Sequence, residues 1–210
     1  MLLNLIDELR DKFQHQSLPG LDAQMKMAPP MRTRDMQVPS NVRLGAVLIL
    51  VFEIDKKWNT LLIRRTEDGQ THSGQISFPG GKKDPSDRDL IHTALRECEE
   101  EISVLRKDVE VLGTLTPLYI PPSNFLVTPV VGHIKELQNY KASEREVQEI
   151  IQTPLELLFW EETKSEKEVL RSDDPSVAMT APVYKLADDI VIWGATAMMI
   201  SELETLILQS

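Results

Sequence analysis

The feature that most constrains this chain is the run from Gly80-Gly81 to Glu101. A strand-like stretch, Gly74-Gln75-Ile76-Ser77-Phe78-Pro79, leads into the glycine pair. A polar loop follows, and then a helical run that ends in Arg96-Glu97-Cys98-Glu99-Glu100-Glu101. On a helix, side chains at i, i+3 and i+4 share a face. Glu97, Glu100 and Glu101 have that spacing. Like charges so close destabilise an isolated helix. A bound hard cation reverses the cost, because Mg²⁺ and Mn²⁺ take carboxylate oxygens, and a metal held this way serves phosphate chemistry. An acidic run alone is more often a solvated face. Here strand, glycine turn, loop and acidic helix form one compact unit, and that favours a site.

The segment resembles the Nudix box, Gly-x5-Glu-x7-Arg-Glu-U-x-Glu-Glu-x-Gly-U, where U is a bulky aliphatic residue. Arg96, Glu97, Glu100, Glu101 and Val104 match. Cys98 takes an aliphatic position, Ser103 stands where the family has Gly, and the first half carries one extra residue with Asp87 near the place of the first Glu. Ser103 is expected at the helix C-terminus, where Gly reaches positive φ freely. A narrower resemblance, to the coenzyme A pyrophosphatase branch, runs from about Arg43 onward. It rests on Leu61 to Thr66, Gly74-x3-Phe78-Pro79-Gly80-Gly81, Asp84-Pro85-x-Asp87, Thr93 to Glu97, Val127 to Val131 and Trp193 to Ala197. The branch expects Thr, Ser or Ala, and Arg where this chain has Ile63, Thr66 and Gln70.

The resemblance implies a Nudix α/β/α sandwich with a mixed sheet. It also implies a metal-dependent hydrolase that cleaves coenzyme A or its derivatives to 4′-phosphopantetheine and adenosine 3′,5′-bisphosphate. The alternatives are a hydrolase of another nucleoside diphosphate derivative, such as ADP-ribose, and a non-catalytic binding module. Mg²⁺ or Mn²⁺ is the expected cofactor. Glu97 and Glu101 are assigned as direct ligands, and Glu100 as a further ligand or the base that activates water. The Gly81 carbonyl also faces the metal in this reading. Arg65, Lys82 and Arg96 are the candidate substrate contacts, with a structural role for Arg96 beside it: pairing with nearby acids. Glu99 reads as solvated, and His72 and His92 as ordinary surface or core histidines.

With 210 residues, the expected division is an N-terminal helix and extended arm over 1–42 and a Nudix hydrolase domain over 43–210. The formal net charge of −10 argues against non-specific nucleic-acid binding, which needs basic surface. Cys98 is the only cysteine, so no intramolecular disulfide forms, and it reads as a small buried apolar residue. Without a signal-like N-terminus or a long apolar run, a soluble cytoplasmic protein is expected.

Leu2, Leu3, Ile6, Leu9 and Phe13 predict an amphipathic helix over 2–14, stopped by Pro19-Gly20. Residues 17–42, rich in Met and Pro, read as an irregular arm. Its apolar surface packs either on its own domain or against a second subunit in a homodimer. Strands are expected over 43–52, 59–65, 76–78, 109–116, 125–134, 147–151, 166–171 and 182–192, with helices ending near 103, over 154–160 and over 195–208. The prolines at 117, 121 and 122 predict a loop from 117 to 125, with Leu118, Tyr119 and Ile120 as an apolar wall. Asp87 or Asp89 is the expected cap of the acidic helix.

Overall fold

The computed structural model describes residues 4–66, 74–136, 140–171, 174 and 176–209. Leu2, Leu3, Gln70 and His72 lie outside the described residues. The chain runs α1 (Leu5–His15), α2 (Gly20–Gln24), β1 (Arg43–Ile54), β2 (Lys57–Arg65), β3 (Ile76–Ser77), β4 (Gly80–Lys82) and α3 (Leu90–Ile102). It continues with β5 (Glu110–Thr114), β6 (Leu118–Ile120), β7 (Phe125–His133), β8 (Val147–Pro154) and α4 (Leu155–Phe159). Last come β9 (Lys164–Leu170), β10 (Ala178–Lys185), β11 (Val191–Trp193) and α5 (Gly194–Leu208).

β1 organises the main sheet. Its N-terminal half pairs antiparallel with β4 at Gly45↔Lys82, Ala46↔Gly81 and Val47↔Gly80. Its far end turns into β2 through Asp55 and Lys56, both at positive φ. Along its length it pairs in parallel with β7, from Arg43↔Phe125 to Val51↔His133. The sheet is therefore mixed. Its order is β3-β2-β1-β7-β5, with β4, β6 and β8 attached to β1, β7 and β2. Antiparallel β9, β10 and β11 form a second, three-stranded sheet.

The layers follow from the period-2 alternation of strand side chains. Ala46, Leu48, Leu50 and Phe52 of β1, with Leu61 and Ile63 of β2, face α3 and pack on Ala94, Cys98 and Ile102. Ile49, Val51 and Leu62 point to the opposite face, where Leu5, Ile6 and Leu9 of α1 and Met199, Ile200, Leu203 and Leu206 of α5 cover them. A strand stretch buried on both faces must be apolar, and β1 is from Leu44 to Phe52, with Arg43 and Glu53 at its exposed ends. The result is the expected α/β/α sandwich with a mixed sheet.

Three readings of the sequence need correction. The segment after Pro117 holds a strand, β6, paired to β7 before the turn at Pro121–Ser123. Residues 182–192 do not form one strand: β10 ends at Lys185, and a turn closed by the Leu186 N–H to the Ile190 carbonyl (3.0 Å) leads to β11. The arm after α1 is partly helical, with α2 and a 3-10 turn at Met25–Met27.

The N-terminal helices are tied to α5 by buried polar bonds. The Lys12 ammonium, 8% exposed, donates to the carbonyls of Leu206 (2.8 Å), Ile207 (3.1 Å) and Gln209. It thus satisfies the carbonyls that any helix leaves unpaired at its C-terminus. The fully buried Glu202 accepts from the backbone N–H of Gly20 and of Thr116 (3.1 Å each) and from Gln24 Nε2 (2.8 Å). The apolar side of α1 is thereby spent on its own chain. No helix among the described residues is long and apolar enough to cross a membrane. Replacing Lys12 with Met keeps the packing stem and removes the donor. We expect a loss of about 2 kcal/mol of stability, read as a lower urea midpoint at unchanged slope.

Candidate active site

β4 and α3 bring the glycine pair against the acidic helix. At Gly81 a Cβ would lie 2.5 Å from the Glu97 carboxylate carbon and 2.6–2.7 Å from its oxygens, so only glycine admits this contact. At Gly80 a Cβ would meet the Ala46 carbonyl oxygen at 2.3 Å. The Gly80 N–H donates to Glu101 Oε2 at 2.7 Å, and Arg65 Nη1 stands 3.4 Å from Glu101 Oε1. Glu97, Glu101, Gly81 and Arg65 therefore meet at one place. Glu101 is 1% exposed, and burial pushes its carboxyl up to about 8. Burial also raises that of Glu97. In both, burial outweighs the opposing pull of the neighbouring donors, Arg96 for Glu97 and the Gly80 N–H with Arg65 for Glu101.

α3 is fixed at both ends. Asp89 caps it, its carboxylate accepting the His92 N–H at 2.7 Å. The helix ends on Ser103 at φ +62, the left-handed conformation expected for the position that is Gly in the box. The last carbonyls, of Glu101 and Ile102, accept from the N–H of Ser143 (2.8 Å) and Lys141 (3.0 Å).

Asp87 is not the cap; it is the buried anchor of the preceding loop. Its carboxylate, 3% exposed, receives Arg96 Nε and Nη2 at 3.0 Å each and Thr93 Oγ1 at 2.9 Å. His92 Nδ1 and the Asp84 N–H complete the set, both at 2.9 Å. The paired Arg96 guanidinium, against the opposing cost of burial, holds the Asp87 carboxyl far below the usual carboxylate range. Arg96 also reaches Glu97 Oε1, Glu100 Oε2 (2.9 Å each) and the Lys82 carbonyl (3.1 Å). It joins loop, glycine strand and acidic helix, so the structural role read beside its candidate substrate role has a geometric basis. His92 belongs to the same network. Glu99 is not merely solvated: it accepts from Arg106 Nε at 2.6 Å.

One acid escaped the sequence reading. The charge of Glu146, just before β8, bears on both Glu97 and Glu101 and raises their carboxyls. It sits in the run Glu144-Arg145-Glu146, which carries no motif signal.

In kind, this site fits a hard divalent cation: its donors are carboxylate and backbone oxygens. In arrangement, the described residues form no ready cluster of three ligands. Arg96 meets the charge of Glu97 and Glu100, and Arg65 with the Gly80 N–H meets that of Glu101.

A cavity of about 1080 Å³ opens beside the glycine pair. Gly80, Gly81, Lys82 and Arg65 form one end, and Leu118, Tyr119 and Ile120 line it as the sequence suggested. Further walls come from Met31 and Met36 of the arm and from Met179, Trp193, Met198 and Met199 of the C-terminal elements. Among the described residues no Asp or Glu lines it, whereas Arg32, Arg43, Arg65, Lys82 and Arg171 do. In a chain with a formal net charge of −10, such a lining selects anions.

Replacing Asp87 with Asn turns an acceptor of five bonds into a group that faces donors with an NH₂. We expect a loss of about 3–5 kcal/mol near neutral pH. Because the folded carboxyl titrates below its ordinary value of 3.8, its contribution is present above about pH 4 and fades on acidification. Urea midpoints of wild type and Asp87→Asn should therefore converge as the pH falls through that range.

The chain is similar to known proteins. The NUDIX domain model matches residues 42–173. A Pectobacterium atrosepticum protein named Uncharacterized Nudix hydrolase NudL is 40% identical over 136 residues, covering 65% of this chain and 67% of the relative. Its Citrobacter koseri namesake is 37% identical over 163 residues, covering 78% and 82%. Among solved structures, a MutT/nudix family protein from Enterococcus faecalis aligns with a TM-score of 0.49 at 16% identity, over 96% of this chain and 74% of that one. The family match spans well over half the chain, and with the relatives' identity it shows that this protein belongs to the Nudix hydrolases and is a pyrophosphohydrolase.

Proposed function

We propose that the protein hydrolyses the diphosphate of coenzyme A or its derivatives, releasing 4′-phosphopantetheine and adenosine 3′,5′-bisphosphate. The observation that carries this reading is the cavity beside the glycine pair, whose described lining is cationic and apolar, with a methionine-rich wall. The volume exceeds that of the usual small-ligand pocket and suits a nucleotide with a long appended arm. Methionines adapt to such an arm because their side chains are flexible and polarisable. The sequence resemblance from Leu61 to Gly81 and in the inserted box points the same way.

Nudix hydrolases generally use divalent metal ions, which neutralise phosphate oxygens and lower the pKa of bound water. Glu97 and Glu101, with the Gly81 carbonyl, are the oxygens proposed to hold the ion, as Mg²⁺ or Mn²⁺. Glu100, half exposed at the rim, is a further ligand or takes the proton of the attacking water. Arg65 and Lys82 orient the diphosphate. Arg96 keeps Glu97 and Glu100 on the loop side of the helix through its contacts with Asp87.

Two measurements test this. Excess EDTA should abolish turnover, and Glu100→Gln and Glu101→Gln should each lower kcat by about 10²–10⁴-fold while circular dichroism remains that of the folded protein. Full activity in EDTA would reject the metal-dependent reading. The kcat/KM for coenzyme A should exceed that for ADP-ribose by at least roughly tenfold, about 1.4 kcal/mol of transition-state discrimination. Equal values, or a preference for ADP-ribose, would move the protein to another nucleoside diphosphate substrate.

A further inference from the structure

The family match begins at residue 42, and Arg32 lies in the arm before it. Arg32 nevertheless lines the cavity. Its Nη1 donates to the Tyr119 carbonyl, while its Nε is buried without a hydrogen-bond partner. Arg43, at the start of β1, also lines the cavity; its guanidinium lies 4.2 Å over the Phe125 ring and donates to the Ser123 carbonyl. Among the described residues neither arginine has a carboxylate partner. Arg43 is exposed, but Arg32 is half-buried with a donor left unpaired, an expensive arrangement unless something else supplies the charge.

The two arginines are anchored on one hairpin: Tyr119 is on β6, and Phe125 on β7 pairs with Ile120. They are set apart from the glycine pair. Arg43 precedes Gly45 by two strand positions, about 7 Å, and Gly45 is the register partner of Lys82. The cavity thus has two cationic places, one around Lys82 and Arg65 and one around Arg32 and Arg43. A bare diphosphate occupies only the first.

We propose that Arg32 and Arg43 form a second anion subsite, which binds a phosphate monoester on the nucleotide part of the substrate. This rests on the reading of the substrate as a nucleoside diphosphate derivative, and it selects those that carry an additional phosphate on the ribose. Arginine suits the role, since its planar fork can engage phosphate oxygens in pairs. Stacking on Phe125 holds one guanidinium in place before the anion arrives.

The test uses the full chain with Arg32→Gln, Arg43→Gln and Arg32→Lys, each checked by thermal melt. Calorimetry compares adenosine 3′,5′-bisphosphate with adenosine 5′-monophosphate, and kinetics compares coenzyme A with its 3′-dephospho form. We expect wild type to bind the bisphosphate at least tenfold more tightly. Each Gln variant should lose most of that preference, Arg32→Lys should keep part of it, and the kcat/KM ratio of the two substrates should fall in parallel. Equal affinity for the two nucleotides in wild type, or a preference unchanged in the variants, overturns the subsite. If coenzyme A is not turned over but the bisphosphate preference exists and is lost in the variants, the substrate reading fails and the subsite stands. Should Arg32→Gln not fold, Arg43→Gln and Arg32→Lys decide the matter by the same ratios.

Discussion

The ion pair between Asp87 and Arg96 is the interaction on which the rest of the site depends. A buried charge pair is favourable only when its geometry is good and its remaining lone pairs are filled. Here both conditions hold: Arg96 is bidentate, and a threonine, a histidine and a backbone amide complete the carboxylate. The pair fixes a loop onto the helix that follows it. Through the same Nη2, which also donates to the Lys82 carbonyl, the helix is fixed to the glycine strand, while Nη1 holds Glu100. Glu97, Glu100 and Glu101 are thus held together despite their mutual repulsion, and buried Glu101 keeps a backbone donor.

That frame supplies one end of the cavity alone. The remaining walls of the cavity come from the arm before β1 and from β10, β11 and α5, elements far apart in the chain. They are joined by polar bonds at buried positions: Lys12 on the end of α5, Glu202 on Gly20, Gln24 and Thr116, and Ser201 Oγ on the Ala23 carbonyl at 2.7 Å. Such bonds are directional, so they set how the arm lies as well as that it lies there.

The sandwich was legible in the sequence because β1, the centre of β2 at Leu61 to Ile63 and β7 are largely apolar runs and α3 carries both a cap and a characteristic acid spacing. Ser103 was legible for a simple steric reason, since the helix must end in a left-handed residue. The roles of Asp87, Lys12 and Glu202 were not. Each is a charged residue that reads as solvent-facing, and its burial is decided by partners up to 9, 197 and 182 positions away, respectively. Glu146 was hidden in the same way, because nothing in its local sequence places it beside α3. β6 was lost among prolines that do mark a turn, but only from Pro121, four residues after the start of the expected loop. The cavity could not be seen at all, because no local pattern records that Met31, Arg43 and Trp193 share a space.

The order in which the walls are made has a consequence for a chain still being synthesised. Gly81 and the acidic helix emerge early, whereas Thr196 of the cavity wall follows Gly81 by 115 positions. At the usual pace of translation that interval is on the order of 10 s. During it the acids of α3 stand without the wall that Thr196 and its neighbours on α5 supply. The cavity is closed only when α5 docks on Lys12, so a chain still short of α5 lacks it.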